Sequence, residues 1–232
     1  EAYKNLGAIL KDLGKLKEAE ISTQKAIQLK PNNPEAYSNL GAILKDLGKL
    51  KEAEISTRKA IQLKPNHPDA NFNLSNIELL KGDYKSGLER YEYRFKKKNS
   101  VNIHGNTKTN RFEGDKLKKE EKFLLVSEQG LGDTLHYMRY IPFLRNEGFD
   151  ISFSAQNKLH SLIRSSQVDD KPLTIEQVSS VKDRHWIPLL SLPKLLRVRA
   201  NKPIITHPYI KAREKLNLKW KQILSNEKLP IV

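Results

Sequence analysis

Residues 128–134 read Glu-Gln-Gly-Leu-Gly-Asp-Thr and lie between an apolar run, Phe123–Ser127, and a helix-like stretch, Leu135–Leu144. In a parallel sheet, ligands bind where strands turn into helices at their carboxyl ends. Gly130 and Gly132 can take the tight or left-handed backbone needed there, and they let a ligand approach the main chain. The helix start behind them offers free N–H groups to an anion. Asp133 is an acid that could take a proton from a hydroxyl. Glu128, Gln129, Thr134 and His136 are candidate polar contacts beside it. Two common phosphate motifs are excluded, because the third glycine of the dinucleotide fingerprint is missing and no Gly-Lys-Ser/Thr follows. Asp133 has a competing role as an N-cap, which would hold its carboxylate on main-chain N–H groups. Thr134 could cap instead and free Asp133.

Other chemistry is sparse. The chain has no cysteine, so neither disulfides nor thiolate metal sites are available, and its six histidines show no ligand spacing. No metal site is expected. Ser127 lacks the glycine-flanked elbow of hydrolases, and Trp186 and Trp220 sit among apolar neighbours as expected core. The net charge of +15 is spread along the chain as solvated lysine. Basic residues are not interleaved with aromatics, so nucleic acid is not an expected partner, while attraction to anionic partners stays open. No apolar stretch approaches the roughly 20 residues of a membrane span. The absence of cysteine and of a leader pattern agrees with a cytoplasmic protein.

The elements that must position the glycine turn come in two grammars. Residues 1–34 and 35–68 are the same sequence but for Lys4/Ser38, Gln24/Arg58 and Asn33/His67, and 69–102 follow the register loosely. A 34-residue period is that of a helix–turn–helix solenoid. Ala2, Tyr3, Leu6, Gly7 and Leu10 give the first helix one buried face, and Gly14 ends it. Ala19, Ala26, Ile27 and Leu29 are the expected buried face of the second helix, and Pro31 stops it. Small residues at Gly7, Ala8, Ala19 and Ala26 let the pair approach closely. Asn5, Asn39 and Asn73 recur at one offset. Such amides can grip an extended backbone or hydrogen-bond between helices. Tyr84–Phe95 reads as a closing helix with an aromatic stripe, and 99–118 as a linker or crossover docked by Phe112.

From Lys122 the pattern is strand and helix in alternation. Strands are expected at 122–127, 150–155 and 173–178, and helices at 133–147, 157–165 and 211–226. Pro142 predicts a kink or break in the first of these helices. "WIPLLSLPKLL" is an apolar segment expected near the sheet edge. Alternation of this kind favours a parallel, doubly wound sheet.

Residues 1–102 resemble tetratricopeptide repeats (1–34, 35–68 and a degenerate 69–102, within a repeat domain of 1–98). The resemblance implies a helical solenoid that binds a protein or peptide on the concave face of its first helices, with Asn5, Asn39 and Asn73 as contacts. Asparagines at this place are similar to those of O-linked N-acetylglucosamine transferases. Thr23 and Thr57 stand where the family has a large aromatic, which implies looser packing. The near-identity of the first two repeats is read as a sign that further copies precede Glu1.

"FLLVSEQGLGDTLHYMRYIPFLRNEGFDISFSAQNKLHSLI", "WIPLLSLPKLL", "PYI" and "GLERYEYRF" resemble a glycosyltransferase-like domain, similar to heptosyltransferases, that is fused to such repeats in bacteria. That resemblance implies a three-layer Rossmann-like sheet over 119–228, the acceptor-side, N-terminal half of a GT-B fold, with 229–232 starting a second half. It implies Asp133 as catalytic base, Gly130 and Gly132 as the floor of the acceptor site, and a glycan or protein acceptor. A nucleotide-sugar donor is expected only with the second half, so residues 1–232 alone are expected to hold no cofactor and to be inactive. The alternative is a non-catalytic adaptor.

Overall fold

The structure, a computed structural model, describes residues 1–201, 203, 204 and 208–225. The expected domain start at 229–232 lies outside the described residues. The chain divides into two compact units, Glu1–Val101 with Arg197–Pro203, and Asn102–Leu196 with Ile204–Val232.

The first unit is a helical solenoid of α1 (Ala2–Asp12), α2 (Leu16–Leu29), α3 (Pro34–Asp46), α4 (Leu50–Leu63), α5 (Pro68–Leu80) and α6 (Tyr84–Tyr91), closed by a 3₁₀ turn at Glu92–Phe95. Each first helix stops at a left-handed glycine: Gly14, Gly48 and Gly82 have φ of 74°, 76° and 83°. The residue after each glycine donates its N–H back to the helix, Lys15 to Leu10, Lys49 to Leu44 and Asp83 to Glu78, all at 2.9 Å, and so satisfies a carbonyl the helix end leaves free. Pro34 and Pro68 take the first helical position of α3 and α5, where a missing N–H costs nothing.

Paired helices touch through a glycine facing a threonine. A Cβ on Gly7 would lie 2.2 Å from Thr23 Oγ1, and one on Gly41 2.0 Å from Thr57 Oγ1. Both threonines are fully buried. The expected loosening at these positions does not occur, because glycine and threonine match in volume. The third repeat solves the same contact differently. Ser75 and Tyr91 replace the glycine and threonine, Tyr91 stacks at 5.6 Å on Phe72, and Gly87 makes room for Leu79, whose Cγ would be 2.7 Å from a Cβ there.

The expected apolar face of the first helix is realised in repeat 2, where Ala36, Leu40 and Leu44 are buried and Leu40 and Leu44 pack on Ile27 of repeat 1. In repeat 1, Tyr3 and Leu6 remain 45% and 44% exposed. Leu29, expected inside, is 65% exposed; it ends α2 beyond the reach of α3.

The second unit contains β1 (Lys122–Val126), α7 (Leu131–Tyr137), α8 (Tyr140–Asn146), β2 (Asp150–Ser154), α9 (His160–Ser165), β3 (His185–Pro188), α10 (Leu192–Leu195) and α11 (Glu214–Leu224). The three strands form a parallel sheet in the order β2-β1-β3. Phe123–Val126 are buried, as a strand paired on both sides requires. The long helix expected at 133–147 is broken. Pro142 has no N–H for the Met138 carbonyl, Ile141 N donates to it instead at 3.0 Å, and α8 starts afresh at Tyr140.

Residues 173–178 are not the third strand. Leu173 makes one bridge to Ser154, but Gln177 Oε1 then accepts from Thr174 N at 2.9 Å and Thr174 Oγ1 from Gln177 N at 3.4 Å. This reciprocal bonding turns the chain into a 3₁₀ segment at Glu176–Ser180. The third strand is His185–Pro188, which runs into the start of "WIPLLSLPKLL". Residues 110–112 run beside it: Phe112 N donates to Trp186 O at 2.9 Å, Trp186 N donates to Asn110 O at 3.1 Å, and the Phe112 ring meets Phe123 edge-on. Trp186 is half-buried against Leu124 and Val126. Trp220 is not core; α11 has no buried residue and Trp220 is 55% exposed.

Gly41→Ala is expected to lower the unfolding free energy by about 1–3 kcal/mol, the usual range for overpacking. Thr57→Ala in the same chain should return part of that loss. Denaturant titration of the two variants measures both effects.

Candidate functional site

The strand order β2-β1-β3 makes the carboxyl end of β1 a point where the chain leaves in one direction and returns on the other side. The loop after β1 and the loop after β3 meet there. Glu128 is fully buried, and its Oε1 accepts from Leu190 N at 3.1 Å. Glu128 is therefore a tie between the two loops and not an exposed contact. Ser127 and Ser154 are buried on the same level, with Ser127 N donating to Ser154 O at 3.0 Å.

His104 joins this cluster, although no sequence motif marks it. Its N–H donates to Ser127 O at 2.8 Å, and its Nδ1 lies 3.0 Å from Ser127 Oγ. Burial pushes the His104 imidazole below its usual range, against the opposing charge of Glu128. A neutral ring whose Nδ1 accepts the Ser127 hydroxyl suits this placement. Both partners are packed in, so the pair holds the loop and offers no exposed nucleophile.

Beyond Glu128 the chain comes to the surface, where Gln129, Gly130 and Gly132 are exposed. The sharp turn is made by Gln129, with φ of 61°, and not by the glycines; Gly130 is extended at φ −85° and ψ 171°. Gly130 is needed for a different reason. It is the N-cap of α7, and a Cβ there would stand 3.2 Å from Asp133 Oδ2. Gly132 lies in the first turn of α7, and a Cβ there would meet nothing within 4 Å. No neighbour in this chain therefore demands glycine at 132.

Asp133 Oδ2 accepts from Gly130 N at 2.9 Å. This is half of a capping box, since Gly130 has no side chain to return the bond. Oδ1 of Asp133 has no hydrogen bond among the described residues. Thr134 does not cap: it is buried, and its Oγ1 donates to Gln156 Oε1 at 2.8 Å. His136 lies one turn on. Partial burial, then the Arg139 guanidinium, hold its imidazole below the usual range while Asp133 opposes them. Arg139 bonds His136 O at 2.7 Å and reaches Nδ1 at 3.2 Å, so Nδ1 is an acceptor. Tyr209, from the "PYI" segment, donates to Leu135 O at 2.7 Å and accepts from Arg139 at 3.2 Å, bracing the break between α7 and α8. The structure thus brings Gln129, Gly130, Gly132, Asp133 and His136 to one surface and withdraws Glu128 and Thr134 from it. Two cavities of about 900 and 580 Å³ open at the other, amino, end of the sheet around His185, and neither includes residues 128–134.

On the repeats, the three asparagines differ. Asn73 Nδ2 donates to Ser38 O at 3.2 Å and to Ser38 Oγ at 3.3 Å, so it bonds between helices. Asn39 is half-buried and Asn5 exposed, and neither side chain has a partner among the described residues. An apolar groove of about 840 Å³ also lies in repeat 2, lined by Tyr37, Leu40, Leu44 and Ile55. No group of acids, histidines or cysteines among the described residues is placed to hold a metal. No described helix is long and apolar enough to cross a membrane.

Residues 7–48 match the family model "TPR repeat" and residues 34–67 the model "Tetratricopeptide repeat". No curated relative matches the chain. Among solved structures, the chain is similar to the first TPR of Spaghetti (RPAP3) bound to HSP90 peptide SRMEEVD. The two are 21% identical with a TM-score of 0.39, over 41% of this chain and 75% of that one. Residues 7–67 of the N-terminal solenoid carry tetratricopeptide repeats.

Proposed function

We propose that the repeats bind a protein or extended peptide along their first helices, and that the α/β unit is the acceptor-side half of a glycosyltransferase-like GT-B domain. On this reading, Asp133 takes the proton of an acceptor hydroxyl as it attacks the anomeric carbon of a sugar. The nucleotide-sugar donor would sit on a second half. The observation that carries the reading is the exposure of Gln129–Gly132 at the switch point of the parallel sheet, with Asp133 half-buried behind it and one carboxylate oxygen free of hydrogen bonds among the described residues. Oδ2 is held by Gly130 N, which fixes the carboxylate's direction and leaves Oδ1 available.

A second reading has its own support. The bond from Gly130 N gives Asp133 a complete role as a helix cap, and the described cavities of the α/β unit open at the opposite end of the sheet. On that reading the chain is an adaptor whose repeats bind partners and whose α/β unit does no chemistry.

Asp133→Asn separates the two. Asparagine Oδ1 can still accept from Gly130 N–H, so the cap survives and only the base is lost. A donor-hydrolysis screen with nucleotide sugars on the full-length gene product should show turnover that falls at least about a hundredfold in Asp133→Asn. Turnover retained in that variant rules out the base, and absence of turnover in both favours the adaptor. For the repeats, a peptide selected from a displayed library should lose about three- to tenfold in affinity with Asn39→Ala, the worth of one hydrogen bond. Asn73→Ala should cost less, because its amide is already engaged by Ser38. Equal affinity in all three proteins would remove the asparagines from the binding face.

A further inference from the structure

Repeats 1 and 2 differ at three positions, and all three of the repeat 2 residues lie at the junction with repeat 3. Ser38, where repeat 1 has Lys4, is buried and accepts the Asn73 amide with both its carbonyl and its hydroxyl. A lysine there would bring its ammonium into a buried position. Arg58, where repeat 1 has Gln24, reaches Glu78 Oε1 at 3.5 Å. His67, where repeat 1 has Asn33, keeps the same role: its Nδ1 caps α5 at 3.4 Å from Ala70 N, as Asn33 Oδ1 caps α3 at 3.2 Å from Ala36 N, so the changes that distinguish the two seats are Ser38 and Arg58.

Repeat 3 carries the matching changes. Asn71, Glu78 and Arg90 stand at the positions of Tyr37, Leu44 and Ser56. In repeats 1 and 2 the serine donates to the tyrosine carbonyl, Ser22 to Tyr3 at 2.9 Å and Ser56 to Tyr37 at 3.0 Å. In repeat 3 that bond becomes a polar cluster, with Arg90 donating to Asn71 Oδ1 at 2.9 Å and lying 3.3 Å from Glu78. Glu78 is only 4% exposed, and burial pushes its carboxyl above the usual range against the pull of Arg90 and Arg58. A buried carboxylate left without cations is costly. Leu44, at the same place in repeat 2, needs none, and the residue set to face it from repeat 1 is the neutral Gln24.

We propose that Ser38 and Arg58 form a junction code that makes repeat 2 the specific seat for repeat 3, so that the order of otherwise interchangeable repeats is fixed by a buried polar cluster. A repeat with the residues of repeat 1 would accept an apolar successor and reject the third repeat. The protein–protein interface concerned is internal, between two helical pairs, and does not depend on what the solenoid binds.

The test uses three variants of the whole chain. The first is Ser38→Lys, Arg58→Gln and His67→Asn together. The second is the mirror set, Lys4→Ser, Gln24→Arg and Asn33→His. The third combines both, which amounts to exchanging repeats 1 and 2. Hydrogen exchange over α5 and α6, with the thermal midpoint, reads the outcome. The first and third should raise exchange in α5 and α6 about tenfold or more and lower the midpoint, while the second leaves α5 within about twofold of the parent. Equal effects from the first and second sets, or no effect from the first, overturn the proposal. Should the first set fail to fold, Arg58→Gln alone and with Glu78→Leu decides. The double variant should recover protection that the single one loses, and further loss in the double overturns the proposal.

Discussion

A glycine packed against a buried threonine sets the distance between the two helices of each of the first two repeats. With Gly7 on Thr23 and Gly41 on Thr57, neither side of the contact has room for another carbon. Close approach at one point fixes the crossing of each pair. Because the contact recurs at 34 residues, the first helices repeat the same orientation. The asparagines that follow two residues before each glycine position, Asn5, Asn39 and Asn73, then share one face of the array. The alignment of this face is a consequence of a packing contact made on the far side of the same helices.

The third repeat shows what holds such an array together when that contact is lost. Ser75 and Tyr91 stand at the glycine and threonine positions, and the junction relies on stacking of Tyr91 with Phe72 and on the Glu78 cluster. Polar burial of this kind adds little stability relative to an apolar contact, since desolvation offsets the attraction. Its value is discrimination, because a wrong neighbour leaves a buried charge unpaired. Repetition and specificity are thus divided between apolar and polar positions of one helical pair.

In the repeats, sequence and structure agree closely, because the signals are local. A glycine after a helical stretch, a proline beyond the second helix and a fixed period need no tertiary information, and Gly14 and Pro31 both act as read. Strands β1 and β2 were legible from short apolar or alternating runs. The third strand was misplaced because Leu173–Val178 has strand composition, yet Thr174 and Gln177 bond each other's backbone and bend it. The polar site was harder still. Glu128 reads as an exposed acid beside two glycines, but its burial depends on Leu190, 62 residues later. The left-handed turn falls on Gln129, a residue type that gives no warning of it. His104 belongs to the loop through tertiary pairing alone. Trp220 was read as core from its neighbours, whereas α11 keeps its apolar face exposed.

On the proposed reading, partners bind the first-helix face that the glycine–threonine contacts align. The most direct measurement is a nuclear magnetic resonance titration of the asparagine side-chain amides with a peptide selected from a displayed library. The Asn39 and Asn5 amide resonances should shift most, Asn73 should shift less, and α2 and α4 should be nearly silent. Shifts confined to α2 and α4, with Asn5 and Asn39 unmoved, would contradict it.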